Sequence, residues 1–339
     1  MLSTTNTLPE PNQIKGDESP CGEIEMGTFN RRHLLGTEDL TKDEIMDIIN
    51  TAKKFRELVK KGHEVIPTIP GKIVVLMFFE PSTRTRSSFE IAAKRIGAET
   101  IDFSSIKSAT TKGETLIDTA KNLEAMNPHV FVIRHSNSGA PYLLSKIQSV
   151  PVANAGDGFH EHPTQALLDL MTILDYKKDV SKLNILIVGD IAHSRVARSN
   201  IYSLKTMGAN VSVCGPATML PPHIEKLGVK VYTDLKKAIP EQDVVMMLRI
   251  QAERGGTSNQ FPTVREYSRH WGLNNTSVKL LKKDAIIMHP GPMNRGVEIS
   301  QAVADSERSV ILPQVTNGVA IRMAVLHKLA GGKNIEEVI

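Results

Sequence analysis

The sequence predicts an α/β protein with two doubly wound parallel-sheet domains. Two successive series of short apolar segments alternate with segments of helical periodicity, which is the signature of parallel sheets covered by helices on both faces. A long helical segment, Pro163 to Tyr176, lies between the two series and is a natural bridge. The 339 residues suit two ordinary domains.

The elements follow in order. Thr41 with Glu44 forms a capping box, and Ile45, Ile48, Ile49 and Ala52 recur at helical spacing after it. Lys72 to Phe79 is rich in Ile and Val and reads as a buried strand. A loop and then a helix from Arg84 to Ile96 follow, with Gly97 ending the helix. Further strands are expected at Thr100–Phe103, Val130–Arg134 and Val150–Asn154, separated by helices at Glu114–Met126 and Tyr142–Ile147. The second series comprises Asn184–Val188, Val211–Cys214, Val229–Tyr232, Asp243–Leu248 and Ala285–His289. Ligands in open parallel sheets bind outside the carboxyl ends of the strands. The residues with most chemistry in them, namely Ser82 to Thr85, Arg134, His162, Arg195, Arg249 and His289 to Pro292, all fall just after strands or at a helix start.

Composition narrows the classes. The chain is 40% hydrophobic and 23% charged, an ordinary globular balance. Its longest apolar run, Ile73 to Phe79, is too short to cross a bilayer, so no membrane association is expected. A formal charge of +4 without a basic tail or Lys/Arg block argues against a nucleic-acid partner. The two cysteines, Cys21 and Cys214, form no framework, which fits a reducing cytoplasm. Residues 1–30 carry neither an apolar nor an Arg-rich presequence pattern and are expected to be a flexible extension.

Two stretches carry the chemistry. In Phe79-Glu80-Pro81-Ser82-Thr83-Arg84-Thr85-Arg86, three hydroxyls and two arginines meet a helix start. Free N–H groups there attract anions, hydroxyls add donors, and Arg offers a planar fork matched to phosphate. An ordinary Ser/Thr cap with arginines on a solvated face fits the same residues. The GxxxxGK[ST] loop of nucleotide hydrolases is absent. The second stretch, Gly156 to Gln165, contains His160-Glu161-His162-Pro163-Thr164-Gln165. Pro163 can open a helix, which puts His162 and Gln165 in reach of one ligand. His-Glu-His is not the HExxH pattern and lacks further ligands nearby, so no metal is expected. The turn at Gly189-Asp190 lacks GxGxxG, so no nicotinamide is expected either.

Together these stretches resemble the carbamoyltransferase family, through Ser-x-Arg-Thr-Arg at Ser82 to Arg86 and His-Pro-x-Gln at His162 to Gln165. The resemblance covers nearly all of the chain after residue 30. It implies a carbamoyl-phosphate domain followed by an aspartate domain, joined by interdomain helices. The corresponding boundaries are 1–30 for the extension, 31–163 and 164–315 for the two domains, and 316–339 for a C-terminal helix packing back on the first. The ornithine branch's His-Cys-Leu-Pro and Asp-x-x-x-Ser-Met-Gly segments are absent. In their places stand His289-Pro290-Gly291-Pro292 and Leu248-Arg249-Ile250-Gln251. Guanidinium forks suit a dicarboxylate. A cationic side chain 4 Å from an Arg is disfavoured by on the order of 4 kcal/mol at an effective dielectric of 20.

The resemblance also implies roles. Ser82, Thr83, Arg84 and Thr85 would hold the phosphate, Arg134, Thr85 and His162 would face the carbamoyl oxygen, and Gln165 and Pro292 would contact the carbamoyl group. Arg84, Thr85, Arg134 and His162 are the expected catalytic residues. Arg195, Arg249 and Gln251 would bind aspartate. Ser108 and Lys112 would come from a neighbouring subunit, with Lys112 serving both substrates. That implies an oligomer, expected to be a homotrimer, and allows a larger assembly with regulatory or dihydroorotase-like chains. The reaction so implied needs no cofactor.

Overall fold

A computed structural model describes residues 29–103, 114–250 and 263–339. Ser108, Lys112, Gln251 and nearly all of the 1–30 extension lie outside them. The first half contains α1 (Lys42–Lys60), β1 (Ile73–Phe78), α2 (Thr83–Arg95), β2 (Glu99–Asp102), α3 (Leu116–Glu124), β3 (Val130–His135), α4 (Ala140–Ile147) and β4 (Val152–Asp157). The bridging helix is α5 (Pro163–Lys177). The second half contains β5 (Asn184–Val188), α6 (Arg195–Thr206), β6 (Asn210–Cys214), β7 (Lys230–Tyr232), α7 (Leu235–Ala238), β8 (Val244–Met247), α8 (Val264–Trp271), β9 (Ile286–Met288), α9 (Gln301–Ala304) and α10 (Ile311–Leu329).

Local chemistry explains these boundaries. Thr41 and Glu44 make both bonds of the expected capping box, at 3.2 and 2.8 Å, so α1 starts there with Ile45, Ile48, Ile49, Ala52 and Phe55 turned inward. Thr115 accepts from the Asp118 N–H, which sets the start of α3 at Leu116 rather than at Glu114. The fourth strand runs to Asp157 rather than ending at Asn154. Asn154 is buried without penalty because its amide donates to Leu35 O at 2.7 Å and Asp157 Oδ1 at 2.8 Å. The last long helix begins at Ile311, inside the segment expected to close the second domain.

Both sheets are entirely parallel, with strand orders β2-β1-β3-β4 and β7-β6-β5-β8-β9. Each strand's alternation divides its side chains between two apolar layers. Val74, Leu76 and Phe78 of β1 enter the large core shared with α1, α5 and α10, while Val75 and Met77 enter a layer on the opposite face. Likewise Ile185 and Ile187 of β5 join the shared core, and Leu186 and Val188 the outer layer of the second sheet. This is the doubly wound arrangement that continuous apolar strands require.

The bridge is made by two helices. Every residue of α5 from Pro163 to Ile173 is buried, and α10 packs on α1, α2 and α5. A helix buried on every side needs cover on every side, and α10, α6, α1 and β4 supply it. No helix among the described residues is long and apolar enough to cross a membrane.

Candidate active site

Each strand order reverses once. In the first sheet the reversal lies between β1 and β3, and in the second between β5 and β8. The crevices at these switch points open onto one cavity of about 630 Å³, lined from both halves.

From the first half come Ser82, Thr83, Arg84 and Thr85 after β1, Arg134 at the end of β3, and His162 and Gln165 at the start of α5. From the second come Arg195 after β5, Arg249 after β8, and Pro290 to Pro292 after β9. The sequence-expected residues among the described ones therefore converge. Ser82 occupies the N-cap position of α2, yet its side chain caps nothing, and the first turn holds no acidic residue. The hydroxyls and N–H groups of this helix start are left for a ligand. Arg84 reaches across to the second half, where its Nη1 lies 1.9 Å from where a Cβ on Gly291 would stand. Arg86 turns instead to Asp102 at the edge of the sheet.

The placement of two lining arginines depends on a glycine. Gly156 has φ +113°, a region closed to side chains, and an added Cβ would sit 3.0 Å from Arg195 Nε and 3.3 Å from Arg134 Nη1. Two guanidinium groups can lie against this backbone only because it carries no side chain.

Five arginines line the cavity: Arg84, Arg134, Arg195, Arg249 and Arg322. Burial pushes Arg134 down to about 9, with nearby Arg195 adding to the effect. It pushes Arg195 and Arg322 down to about 10, opposed by Asp157 and Asp169 respectively. All three remain cations at neutral pH. Glu80, itself buried, accepts from Arg195 Nη2 at 2.7 Å and lies 3.4 Å from Arg134 Nε. Arg195 thus stands in the cavity with a carboxylate of its own chain on its guanidinium.

His162 is buried, with its backbone N–H on Ser199 Oγ at 2.8 Å. Burial, then Arg134, Arg195 and Arg322, hold its pKa well below the usual value, so the ring is neutral. Its Nδ1 is buried without a hydrogen-bond partner among the described residues. The His-Glu-His stretch does not converge on one point. Glu161 accepts from Thr37 N and Oγ1 and from Ser199 Oγ, while half-exposed His160 lies against Asp157.

Glu80, Asp169, Gln314 and Arg322 also belong to this site or its support, and no motif marks them. Asp169 is fully buried in α5 and accepts from Gln165, Asn200 and Gln314. Burial raises its carboxyl to about 6, against these donors and Arg322. An Asp one turn after Gln165, among Ala166, Leu167, Leu168, Leu170 and Met171, is the signal for it in the sequence.

Comparisons with known proteins agree with this geometry. Residues 32–175 match the carbamoyl-P binding domain of aspartate/ornithine carbamoyltransferases, and residues 181–329 the Asp/Orn binding domain. The aspartate carbamoyltransferase catalytic subunit of Syntrophotalea carbinolica is 55% identical over 309 residues, covering 91% of this chain and 98% of that protein. That of Syntrophus aciditrophicus is 56% identical over 306 residues, covering 90% and 99%. Among solved structures, Trypanosoma cruzi aspartate transcarbamoylase in complex with carbamoyl phosphate superimposes with a TM-score of 0.80 at 30% identity, covering 88% and 96%. Ornithine carbamoyltransferase from Pyrococcus furiosus gives 0.79 at 30% identity, covering 89% and 98%. The chain belongs to the aspartate/ornithine carbamoyltransferase family. Fold alone does not separate the two acceptors, since both structures fit almost equally; the two relatives at 55% and 56% identity carry the aspartate name.

Proposed function

We infer that this chain transfers the carbamoyl group of carbamoyl phosphate to the amine of L-aspartate, giving N-carbamoyl-L-aspartate and phosphate in de novo pyrimidine biosynthesis. The observation that carries this reading is the meeting, across one cavity, of the uncapped helix start bearing Ser82 and Arg84 with Arg195 and Arg249 of the other half.

Ser82, Thr83, Arg84 and Thr85 hold the phosphate through hydroxyls, helix N–H groups and a guanidinium fork. The aspartate amine attacks the carbamoyl carbon, and negative charge grows on the carbamoyl oxygen. Arg134, Thr85 and His162 donate to it there. One such donor is worth about 2.7–4 kcal/mol. His162 acts as a neutral donor, which the surrounding cations favour. Gln165 and Pro292 orient the carbamoyl NH₂. The bond to the phosphate oxygen then breaks, and the departing phosphate takes the amine proton. Arg195 and Arg249, with Gln251, take the two carboxylates and bring the amine to the carbon. Ornithine would present a cation to the same arginines.

The chain works as a cytoplasmic homotrimer in this reading, with Ser108 and Lys112 of a neighbouring chain completing each site. A carbamoylation assay with carbamoyl phosphate and a panel of amino acids tests the activity. Aspartate should be the preferred acceptor, and a better acceptor elsewhere in the panel would overturn the assignment.

A further inference from the structure

A single buried anion sets the orientation of two side-chain amides at the base of the cavity. Asp169 lies on α5 one turn after Gln165 and is fully buried. Its Oδ1 accepts from Gln165 Nε2 at 2.9 Å and from Gln314 Nε2 at 2.7 Å, and its Oδ2 from Asn200 Nδ2 at 2.9 Å. The three amides come from α5, α10 and α6.

A carboxylate only accepts hydrogen bonds. Whichever end of a glutamine amide meets it must therefore be the NH₂ end, so the orientation of Gln165 follows from chemistry as well as from its observed bond. Gln314 obeys the same rule at both ends: its Oε1 receives the backbone N–H of His289 at 3.0 Å. Gln165 lines the cavity, and with its nitrogen committed to Asp169 the atom left for a ligand is Oε1, an acceptor.

We propose that Asp169 is a positioning residue that holds the Gln165 oxygen toward the cavity and so makes the site select an acyl phosphate bearing NH₂ over one bearing CH₃. This rests on the reading of Gln165 as the group that meets the carbamoyl NH₂. Carbamoyl and acetyl phosphate share the phosphate, the bridging anhydride oxygen and the carbonyl, so helix start and arginines treat them alike. Only the NH₂ can donate to Gln165, and a methyl group leaves that oxygen desolvated and unpaired. Sites built to bond a donor reject analogues that lack it for this reason. Without Asp169 the amide could turn over, present its own NH₂ to the ligand, and lose the preference.

The test compares KM for carbamoyl phosphate with the inhibition constants of acetyl phosphate and inorganic phosphate. Asp169→Leu removes the acceptor. Asp169→Ala admits water, which donates as readily as it accepts, and serves if the leucine variant does not fold. Both should shrink the carbamoyl-over-acetyl preference by about tenfold, the worth of one hydrogen bond. The inorganic phosphate constant should move less than about threefold, being blind to that bond. Asp169→Asn keeps an acceptor oxygen for the glutamines and should retain the preference. Equal weakening of all three ligands would reduce Asp169 to a structural residue and overturn the proposal. Gln165→Met separates the two layers. It should lose the preference by itself, and adding Asp169→Ala to it should change nothing further. A preference intact in Gln165→Met would sink the reading of Gln165, whereas a preference lost there but intact in Asp169→Ala would sink the role of Asp169 alone.

Discussion

Arg195 at the start of α6 donates through Nη2 to Glu80 Oε2 at 2.7 Å, although the two residues are 115 positions apart and belong to different halves of the molecule. The pair is buried on both sides, so removing one partner leaves the other as an uncompensated charge. Glu80→Ala should free Arg195 and release Arg134 as well. The expected result is an aspartate KM raised at least about tenfold, with the carbamoyl phosphate KM changed less, if Arg195 binds the acceptor as proposed. Equal changes in both constants would count against this division of labour.

Arg84→Ala should reduce kcat by a hundredfold or more, of the order found when one transition-state donor is lost. Circular dichroism should show an unchanged fold, since the side chain lies in the cavity and not in the core. Near-normal turnover would remove the phosphate role from α2.

His162 should stay neutral throughout the working range of the enzyme. Burial and three arginines lower its pKa, so its imidazole ¹⁵N shifts should not titrate between about pH 5 and 8, where an unperturbed histidine would. A midpoint near the ordinary histidine value would contradict the neutral-donor role.

Lys112 and Arg249 allow a test of shared sites. Lys112→Ala and Arg249→Ala chains should each be inactive alone. Mixed trimers should regain activity, because some sites would draw both intact residues from different chains. If mass spectrometry confirms mixing and activity does not return, each site belongs to one chain.

His327 on α10 packs edge-on against Phe55 of α1 at 5.5 Å, and burial, then Lys328, pushes its pKa down to about 4. A histidine depressed in the fold binds its proton more readily when unfolded. Its contribution to stability is therefore intact above about pH 6.5 and lost as pH falls toward 4, by on the order of 3 kcal/mol. His327→Gln should flatten the pH dependence of denaturant unfolding across that window, and parallel curves for the two proteins would refute the linkage.

Periodicity made the strands and most helices legible, and the β1–α2 turn could be read as an anion site because its residues are contiguous. Arg134, His162 and Arg249 were legible only through their places after strands and in short motifs. Glu80 and Asp169 were not, because their meaning depends on partners brought in by tertiary folding: Arg195 for one, and Gln314, 145 residues away, for the other. The end of β4 is hidden in the sequence for a related reason. Asn154 and Asp157 look like loop residues until their buried bonds are seen.

The two sheets each contribute one switch point to the cavity, and in the proposed reaction this largely separates what is transferred from what receives it. In the proposed reaction the donor is met by the segments after β1 and β3, the start of α5 and Pro292 after β9, and the acceptor by the segments after β5 and β8. Changes confined to the second set could exchange one acceptor for another while the grip on the acyl phosphate is inherited intact. A family whose two halves are named for one donor and for two acceptors, aspartate and ornithine, is what such modular descent would leave behind.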